Sequence, residues 1–405
     1  MASPIDELFT RALGLQAPWI LSRVTFSEEE RELHLYLDFT SGGEFACPHC
    51  DRGELKAYDS HEKQWRHLDF FQHKAFLHAR VPRVECPVCG VRQVELPWAR
   101  SGSGFTLLFE ALLMLLARDI PIKALVRLVD EQDTRIWRVI QHYVHEARRR
   151  ESCEEVTRVG MDETARKRGH KYVTLFVDMD RSKVLFATPG KDASTVAAFA
   201  DDLRARDGSV ETIREVSCDM SPAFIDGVAT HLPEASITFD RFHVMKIMGD
   251  AVDQVRRAEQ KEHQELKGSR YLWLTNPENL KQKQRERLES LTQSNLKTVR
   301  AWQIKLGLQE FWNQSKRWAN DYLRRWYFWA THCRLEPIKQ AAYTIRRHWE
   351  GILRFVKSRM TNGVLEGINS KVQAARNKAR GYRSVEYFIT IIYLIAGKLD
   401  LNLPT

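Results

Sequence analysis

Three acidic residues are the part of this sequence best suited to chemistry. Asp162 follows the apolar run 156–161, Asp219 follows the run 213–218, and Glu366 lies in a polar, helix-like run far downstream. Phosphoryl transfer needs charge stabilisation on both the attacking and the leaving oxygen, and two divalent metals about 3.5–4 Å apart supply it. Carboxylate oxygens are ligands that Mg²⁺ prefers. The three acids therefore predict a centre for Mg²⁺ or Mn²⁺ that acts on phosphodiesters, with Asp162 as the bridging ligand.

The segments that carry these acids predict an α/β domain. Helical runs at 194–206 and 221–231 separate the later strands. The strand-like runs are 156–161, 172–178, 184–187, 213–218 and 236–239. Three strands, a helix, a strand, a helix and a strand is the order of a ribonuclease-H-like fold. We therefore expect Asp162 at the end of the first strand, Asp219 at the end of the fourth, and Glu366 on a late helix directed toward both.

Other polar residues accompany the three acids. Asp240 and His243 are three apart just after the fifth strand-like run, so one helical turn places them on the same side. His243 is a candidate for orienting substrate or transferring a proton, and a purely structural pair is the alternative. Glu163 competes with Asp162 as a metal ligand, but strand alternation points it to the opposite face.

Four of the seven cysteines form two Cys-x-x-Cys pairs: Cys47, Cys50, Cys86 and Cys89. Four thiolates at about 2.3 Å make a closed tetrahedral Zn²⁺ site, which is structural. The 35 residues between the pairs leave room for a hairpin. A redox role for the pairs is the alternative, and the wide separation of the two pairs disfavours it.

Residues 121–148 predict two short helices joined by a tight turn. One face of the second helix is apolar: Ile136, Ile140, Tyr143 and Ala147. The opposite face is basic: Arg135, Arg138, His142 and His145. An apolar back and a basic front suit a recognition helix that enters the major groove of DNA. A solvated charged face without DNA contacts is the alternative.

The stretch from about 250 to 359 carries no strand signal and is helical and rich in tryptophan. Interleaved aromatic and basic residues can stack unpaired bases, although most of these tryptophans are expected in a helical core. Basic residues lie on and after the segment of Glu366 and are expected to neutralise DNA phosphates: Lys371, Arg376, Arg380 and Arg383.

Bulk composition agrees with a nucleic-acid partner without requiring one. The 405-residue chain has 62 Lys and Arg against 53 Asp and Glu, a formal charge of +9. A basic enzyme that binds no nucleic acid is the alternative. No apolar run reaches the roughly 18 residues of a membrane span, and the acidic start is unlike a secretory signal. We therefore expect a cytoplasmic protein with no membrane partner.

Four motifs together resemble those of bacterial insertion-sequence transposases of the ISL-three family, over nearly the whole chain. They are Gly160-Met161-Asp162-Glu163, Asp240-Arg241-Phe242-His243, the segment from Asn362 to Asn369, and Ala379-Arg380-Gly381-Tyr382. The resemblance implies that Asp162, Asp219 and Glu366 form a DDE catalytic triad, with Asp240 and His243 as an auxiliary motif. It further implies binding of terminal inverted repeats, cleavage, strand transfer into target DNA, a homodimer or higher oligomer, and a place at the bacterial nucleoid.

The resulting expectation is a multidomain α+β protein: a small zinc-binding, β-rich domain, a helix-turn-helix, and a ribonuclease-H-like catalytic domain interrupted by an α-helical insertion. The expected boundaries are 1–98 for the zinc domain, 101–150 for the helix-turn-helix, 155–249 and 360–405 for the catalytic core, and 250–359 for the insertion. Two rival functions remain open. One is a catalytically silent DNA-binding regulator, and the other is a metal-dependent nuclease that never joins ends.

Overall fold

The computed structural model describes residues 4–167, 169, 171–358 and 363–404, so Thr361 and Asn362 of the glutamate segment lie outside the described residues. It has mixed α+β architecture and divides into two compact units. The first comprises Met1–Tyr143 and Asp400–Thr405, and the second comprises Val144–Leu399.

The first unit begins with strands and ends with helices. Its elements are α1 (Pro4–Ala12), β1 (Trp19–Ser27), β2 (Glu32–Phe39), β3 (Glu44–Phe45), β4 (Leu55–Phe70), β5 (His73–Cys86), β6 (Gly90–Gln93), α2 (Leu107–Asp119), α3 (Ile122–Val129) and the start of α4 (Asp133–Arg150). The sheet order is β1-β2-β5-β4-β3, with β6 paired to β5.

Alternation of apolar and polar residues builds this sheet. Leu33, Leu35 and Leu37 of β2 are buried while their neighbours are only half-buried, the pattern of a strand with one face on a core. Antiparallel pairing of β4 and β5 makes the long hairpin expected between the two cysteine pairs. Strand β3 lies before this hairpin and β6 lies after it, so both Cys-x-x-Cys pairs lie at the same end of the sheet.

The helix-turn-helix expected from the sequence is present as α3 and α4. Asp130 ends α3 in the left-handed conformation with a φ of 49°, and α4 begins three residues later. The predicted apolar face of α4 is confirmed, because Ile136, Ile140, Tyr143 and Ala147 are all buried.

The second unit alternates strands with helices and then becomes helical. Its elements are β7 (Arg158–Lys167), β8 (Lys171–Asp178), β9 (Lys183–Pro189), α5 (Ala193–Arg204), β10 (Glu215–Cys218), α6 (Pro222–His231), β11 (Ser236–Phe239), α7 (Arg241–Glu259), α8 (Arg270–Leu274), α9 (Gln282–Thr292), α10 (Lys297–Phe311), α11 (Ala319–Thr331), α12 (Glu336–Arg347), α13 (Trp349–Ser358), α14 (Gly363–Lys378) and α15 (Val385–Ala396). Between residues 250 and 358 the described chain contains no strand, as predicted.

The sheet of the second unit has the order β11-β10-β7-β8-β9. Strands β7, β10 and β11 are parallel, while β8 and β9 continue antiparallel from β7. One expectation is wrong: Asp162 does not end its strand. It lies inside β7 opposite Leu175, because the hairpin with β8 continues the strand to Lys167 after the pairing with β10 has stopped.

A close approach brings α14 onto β7. A side chain at Gly160 would lie 2.5 Å from the sulfur of Met179 and 2.9 Å from Leu365, so only glycine permits this contact. Leu365, Ile368 and Val372 form the buried face of α14. No helix within the described ranges is long and apolar enough to cross a membrane.

Candidate active site

The candidate site lies where the parallel strands of the second unit end. Ser217 of β10 pairs with Gly160 of β7, the last pairing between those strands. Asp219 and Asp162 each lie two residues further on, so parallel register carries both carboxylates to the same edge of the sheet. Side chains two residues apart share a strand face, and both acids are half-buried.

The neighbouring strand adds a third acid. Asp240 follows β11 as Asp219 follows β10, and the backbone N–H of Asp240 donates to the Cys218 carbonyl at 3.3 Å. The Asp240 carboxylate caps α7 by accepting from the Phe242 N–H at 3.0 Å. Its other oxygen is 3.7 Å from Nδ1 of His243. The predicted proximity of Asp240 and His243 is therefore present.

A polar face of α14 runs along β7. The Asn369 side-chain NH₂ donates a short hydrogen bond to the Asp162 carboxylate. One turn further on, the Gln373 amide donates to the Thr164 hydroxyl at 2.6 Å and to the Ala165 carbonyl at 3.0 Å. Sequence reasoning assigned no role to Asn369, although its spacing of three from the predicted glutamate places it on the same helix face.

Glu366 lies one helical turn before Asn369, on the side of α14 that continues this polar face. Its side chain is exposed and lines a cavity that also includes Asp240. Among the described residues, the carboxylates of Asp162, Asp219 and Glu366 do not approach one another within 4.8 Å as a group.

Burial shapes the electrostatics of the site. It raises the pKa of Asp162 above its ordinary value, while hydrogen bonds from the Glu163 backbone N–H and from Asn369 act in the opposite direction. Burial and the Asp219 charge also raise the pKa of Glu163, so this residue shares the field of the site even though alternation directs it differently. Half-buried acids with raised pKa values, grouped at a strand edge, are typical of functional sites.

The chain matches known proteins along its whole length. The profile of the DDE domain of ISL3 elements, described as "Transposase", matches residues 159–392. A profile for the zinc finger of transposases IS204, IS1001, IS1096 and IS1165 matches residues 43–89. A profile for the helix-turn-helix domain of transposase family ISL3 matches residues 94–144.

The chain belongs to the ISL3 transposase family. The transposase for insertion sequence element IS1557 of Mycobacterium tuberculosis is 29% identical over 438 residues, covering 98% of this chain and 97% of the relative. The transposase for insertion sequence element IS1001 of Bordetella parapertussis is 27% identical over 400 residues, covering 95% and 97% respectively. The resemblance drawn from the motifs is thereby confirmed.

The cysteines of this ISL3-family chain converge as the zinc profile requires. The sulfurs of Cys47, Cys50, Cys86 and Cys89 all lie within 4.8 Å of one another. Backbone N–H groups of Cys89 and Val88 lower the pKa of the Cys86 thiol to about 6, which favours its thiolate form, whereas a hydrogen bond with Cys50 and burial raise the pKa of Cys89. Four sulfurs at this spacing fit the donor set of a structural Zn²⁺.

The predicted DNA-contact residues of α4 divide into two groups. Arg138 and His145 are exposed. The Arg135 guanidinium instead donates to Glu131 at 2.7 Å and to the Gly104 carbonyl at 3.2 Å, and it stacks 4.2 Å from the centre of the Phe105 ring. The His142 ring lies against Tyr143 and is half-buried.

The basic residues after Glu366 also differ in exposure. Lys371, Arg380 and Arg383 are exposed, whereas Arg376 is half-buried and donates to the Gln373 side chain at 2.5 Å. Of the six tryptophans between residues 297 and 358, Trp318 and Trp329 are 52% and 46% exposed. The other four are buried or half-buried, as expected for a helical core: Trp302, Trp312, Trp326 and Trp349.

Proposed function

We propose that this ISL3-family protein binds the terminal inverted repeats of an insertion sequence and catalyses metal-dependent cleavage and strand transfer. The observation that carries the proposal is the parallel register that brings Asp162 and Asp219 to one sheet edge. Packing of α14 through Leu365 onto Gly160 brings the helix of Glu366 to the same edge. This order of strands and acids supports a ribonuclease-H-like catalytic core interrupted by the helical segment 250–359.

The residues at the sheet edge fit a divalent cation. The donors are carboxylate oxygens, which suit Mg²⁺ or Mn²⁺. Two buried polar atoms beside them have no hydrogen-bond partner within the described residues: Oδ1 of Asn369 and Nδ1 of His243. Asp162, Asp219 and Glu366 would hold the metal, and a metal there supplies charge stabilisation to the attacking and leaving oxygens of the phosphodiester.

The surrounding residues prepare this chemistry. Asn369 fixes one oxygen of Asp162, which leaves the carboxylate with a defined orientation. Asp240 holds the beginning of α7 and lies beside His243, whose ring is placed to orient substrate or move a proton at the sheet edge. Strand β7 lies in the middle of the sheet, between β10 and β8. Its Asp162 is therefore the best candidate for the carboxylate that would bridge two metal ions.

The first unit supplies recognition. We infer that a zinc-stapled sheet and the exposed side of α4, with Arg138 and His145, hold the element end, and that Lys371, Arg380 and Arg383 neutralise phosphates near the reacting strand. The net charge of +9 favours association with DNA. Pairing two element ends requires at least a homodimer, and the working place would be the bacterial cytoplasm at the nucleoid.

The test is incubation of purified protein with Mg²⁺, a supercoiled target plasmid, and labelled duplexes copied from the DNA that flanks its own gene. Labelled ends joined to the plasmid support a transposase. Cleaved ends that never join would favour a nuclease. Specific binding without cleavage would favour a silent regulator. Duplexes with scrambled terminal sequence serve as the matched control.

A further inference from the structure

The second unit contains a cavity of about 850 Å³ beside the candidate carboxylates. Its wall is formed by α7, the segment after α8, α10, α13 and the beginning of α14, and it includes both Asp240 and Glu366. Metal-dependent cleavage needs these carboxylates but does not need a deep space beside them. Small-molecule pockets typically measure about 300–1,000 Å³, so the space is large enough for a specific ligand group.

The wall combines flat rings with neutral amides. Three aromatic rings line it: Phe242, Trp312 and Phe355. Three side-chain amides line it as well: Asn276, Gln309 and Asn313. Phe242 is 60% exposed, whereas Trp312 is 2% exposed. Rings that can stack and amides that can donate and accept hydrogen bonds are what a protein uses to hold a base outside its helix.

Polar atoms in this wall have unmet hydrogen-bonding capacity. The Gln309 side-chain oxygen is buried and has no partner within the described ranges. Lys305 is 4% exposed, and its ammonium donates to the carbonyls of Trp273 and Leu274, both at 2.9 Å. An ammonium has three donors, so one remains after these two bonds. A buried acceptor without a partner is unfavourable, and a ligand that donates to it removes that cost.

The side-chain charges of the wall nearly balance and do not favour a bare phosphate as its occupant. Four carboxylates line the cavity: Asp240, Asp250, Glu278 and Glu366. Only three cations oppose them: Arg241, Lys246 and Lys305. Burial lowers the pKa of Lys305 to about 8, so a fraction of its positive charge is lost near neutral pH. An uncharged group with polar edges and apolar faces suits the wall better than an anion does.

We propose that the cavity receives one unstacked nucleobase of the DNA next to the scissile phosphate, with the Gln309 amide bonded to the edge of that base. The assignment rests on the proposed function, because the phosphodiester must lie at Asp162, Asp219 and Glu366. Glu366 belongs to the proposed metal site and also lines the cavity. The base that enters the cavity therefore belongs to a nucleotide next to the scissile phosphate. Holding it there fixes the reacting strand and compensates the cost of unstacking.

The experiment measures the cleavage rate of Mg²⁺-dependent reactions on a set of element-end duplexes. Each duplex carries one abasic tetrahydrofuran nucleotide, placed in turn at the three positions on either side of the cut. Wild type is compared with Gln309→Leu, which keeps the side-chain volume and removes the unsatisfied amide. Gln303→Leu is the matched control, because Gln303 is exposed on the same helix and does not line the cavity. Asn276→Leu is a second, independent variant of the wall.

We expect Gln309→Leu to cut the intact duplex about tenfold more slowly, as for a lost hydrogen bond in a desolvated site. At one abasic position the two proteins should cut equally fast, because no base remains for the amide to hold. Equal slowing on every duplex, or no slowing on any, overturns the base pocket while leaving cleavage by wild type intact. Absence of cleavage by wild type overturns the proposed function itself, and with it this assignment.

Discussion

Asn369 on α14 donates its side-chain N–H to the carboxylate of Asp162 on β7, joining two segments that are 207 residues apart in the chain. The bond matters because Glu366 lies one turn before Asn369 on the same helix. As long as this hydrogen bond is present, Glu366 stays close to β7. The hydrogen bond therefore helps to align the late helix with the sheet edge, together with the packing of Leu365 on Gly160 and the bonds from Gln373 to β7.

Removal of this bond should impair chemistry more than fold. Asn369→Ala is expected to lower Mg²⁺-dependent end cleavage by about 10–100-fold, the usual effect of losing a group that orients a metal ligand. Binding of the element end in Ca²⁺ should stay close to that of wild type, because the substitution leaves the exposed residues Arg138 and His145 of α4 unchanged. Asn377→Ala on an exposed turn of the same helix is the control. Equal loss of cleavage in both variants would mean that α14 as a whole was disturbed.

The half-buried carboxylate of Asp162 should reduce the stability of the metal-free protein at neutral pH. Because the folded-state pKa of Asp162 is raised, its favourable contribution exists at acid pH and is lost as the pH rises through that pKa. Metal-free Asp162→Asn should therefore melt a few degrees above wild type at pH 7.5, and the difference should vanish near pH 4. Thermal unfolding followed by circular dichroism measures this, with the exposed Asp226→Asn as control. A lower melting temperature at pH 7.5 would make Asp162 a structural residue.

The cysteine cluster should bind one zinc ion per chain that holds the first unit together. Cys86→Ser removes a buried ligand, so the purified variant should contain less than about a tenth of the wild-type zinc and bind element ends weakly. Cys333→Ser should keep its zinc, because Cys333 is not part of the cluster. Elemental analysis by mass spectrometry measures the metal. Full zinc content in Cys86→Ser would exclude the four-cysteine site.

Arg135 and Arg138 of α4 should respond differently to substitution. Arg138→Ala is expected to weaken binding to all DNA sequences and to lower the salt slope by about one, as for a lost phosphate contact. Arg135→Ala should instead lower the melting temperature, since its guanidinium holds Glu131 and Gly104. Salt-dependent fluorescence anisotropy and thermal unfolding separate the two effects. A stable Arg135→Ala with a reduced salt slope would return Arg135 to the DNA-binding surface.

Sequence patterns predicted most of the secondary structure because each element carries its own periodicity. The expected strand 236–239 agrees with β11, and the helical run 221–231 agrees with α6 to within one residue. The position of Asp162 was wrong because strand length depends on the partner, here β8, and not on the local sequence. Arg135 was assigned to the DNA-contact face of α4 from its helical spacing. That spacing does not reveal that the loop at Gly104 packs against the Arg135 side chain.

The cavity beside Glu366 was beyond sequence reasoning altogether. Its wall joins Phe242, Asn276, Gln309 and Glu366, which lie on four separate segments. No periodicity within one segment indicates such a space, since it arises from the packing of helices that are distant in the chain. Asn369, in contrast, could have been predicted from its spacing to Glu366, because residues three apart share a helix face.

The most direct test of the catalytic centre is a strand-transfer assay in Mg²⁺ with three single variants: Asp162→Asn, Asp219→Asn and Glu366→Gln. Each replacement keeps the shape of the side chain and removes the charge that a cation needs. If the three acids act as one centre, each variant should lose joining by on the order of 10²–10³-fold or more, with element-end binding unchanged. Joining at the wild-type rate by any one of them would remove that residue from the centre, and joining by all three would contradict the DDE assignment.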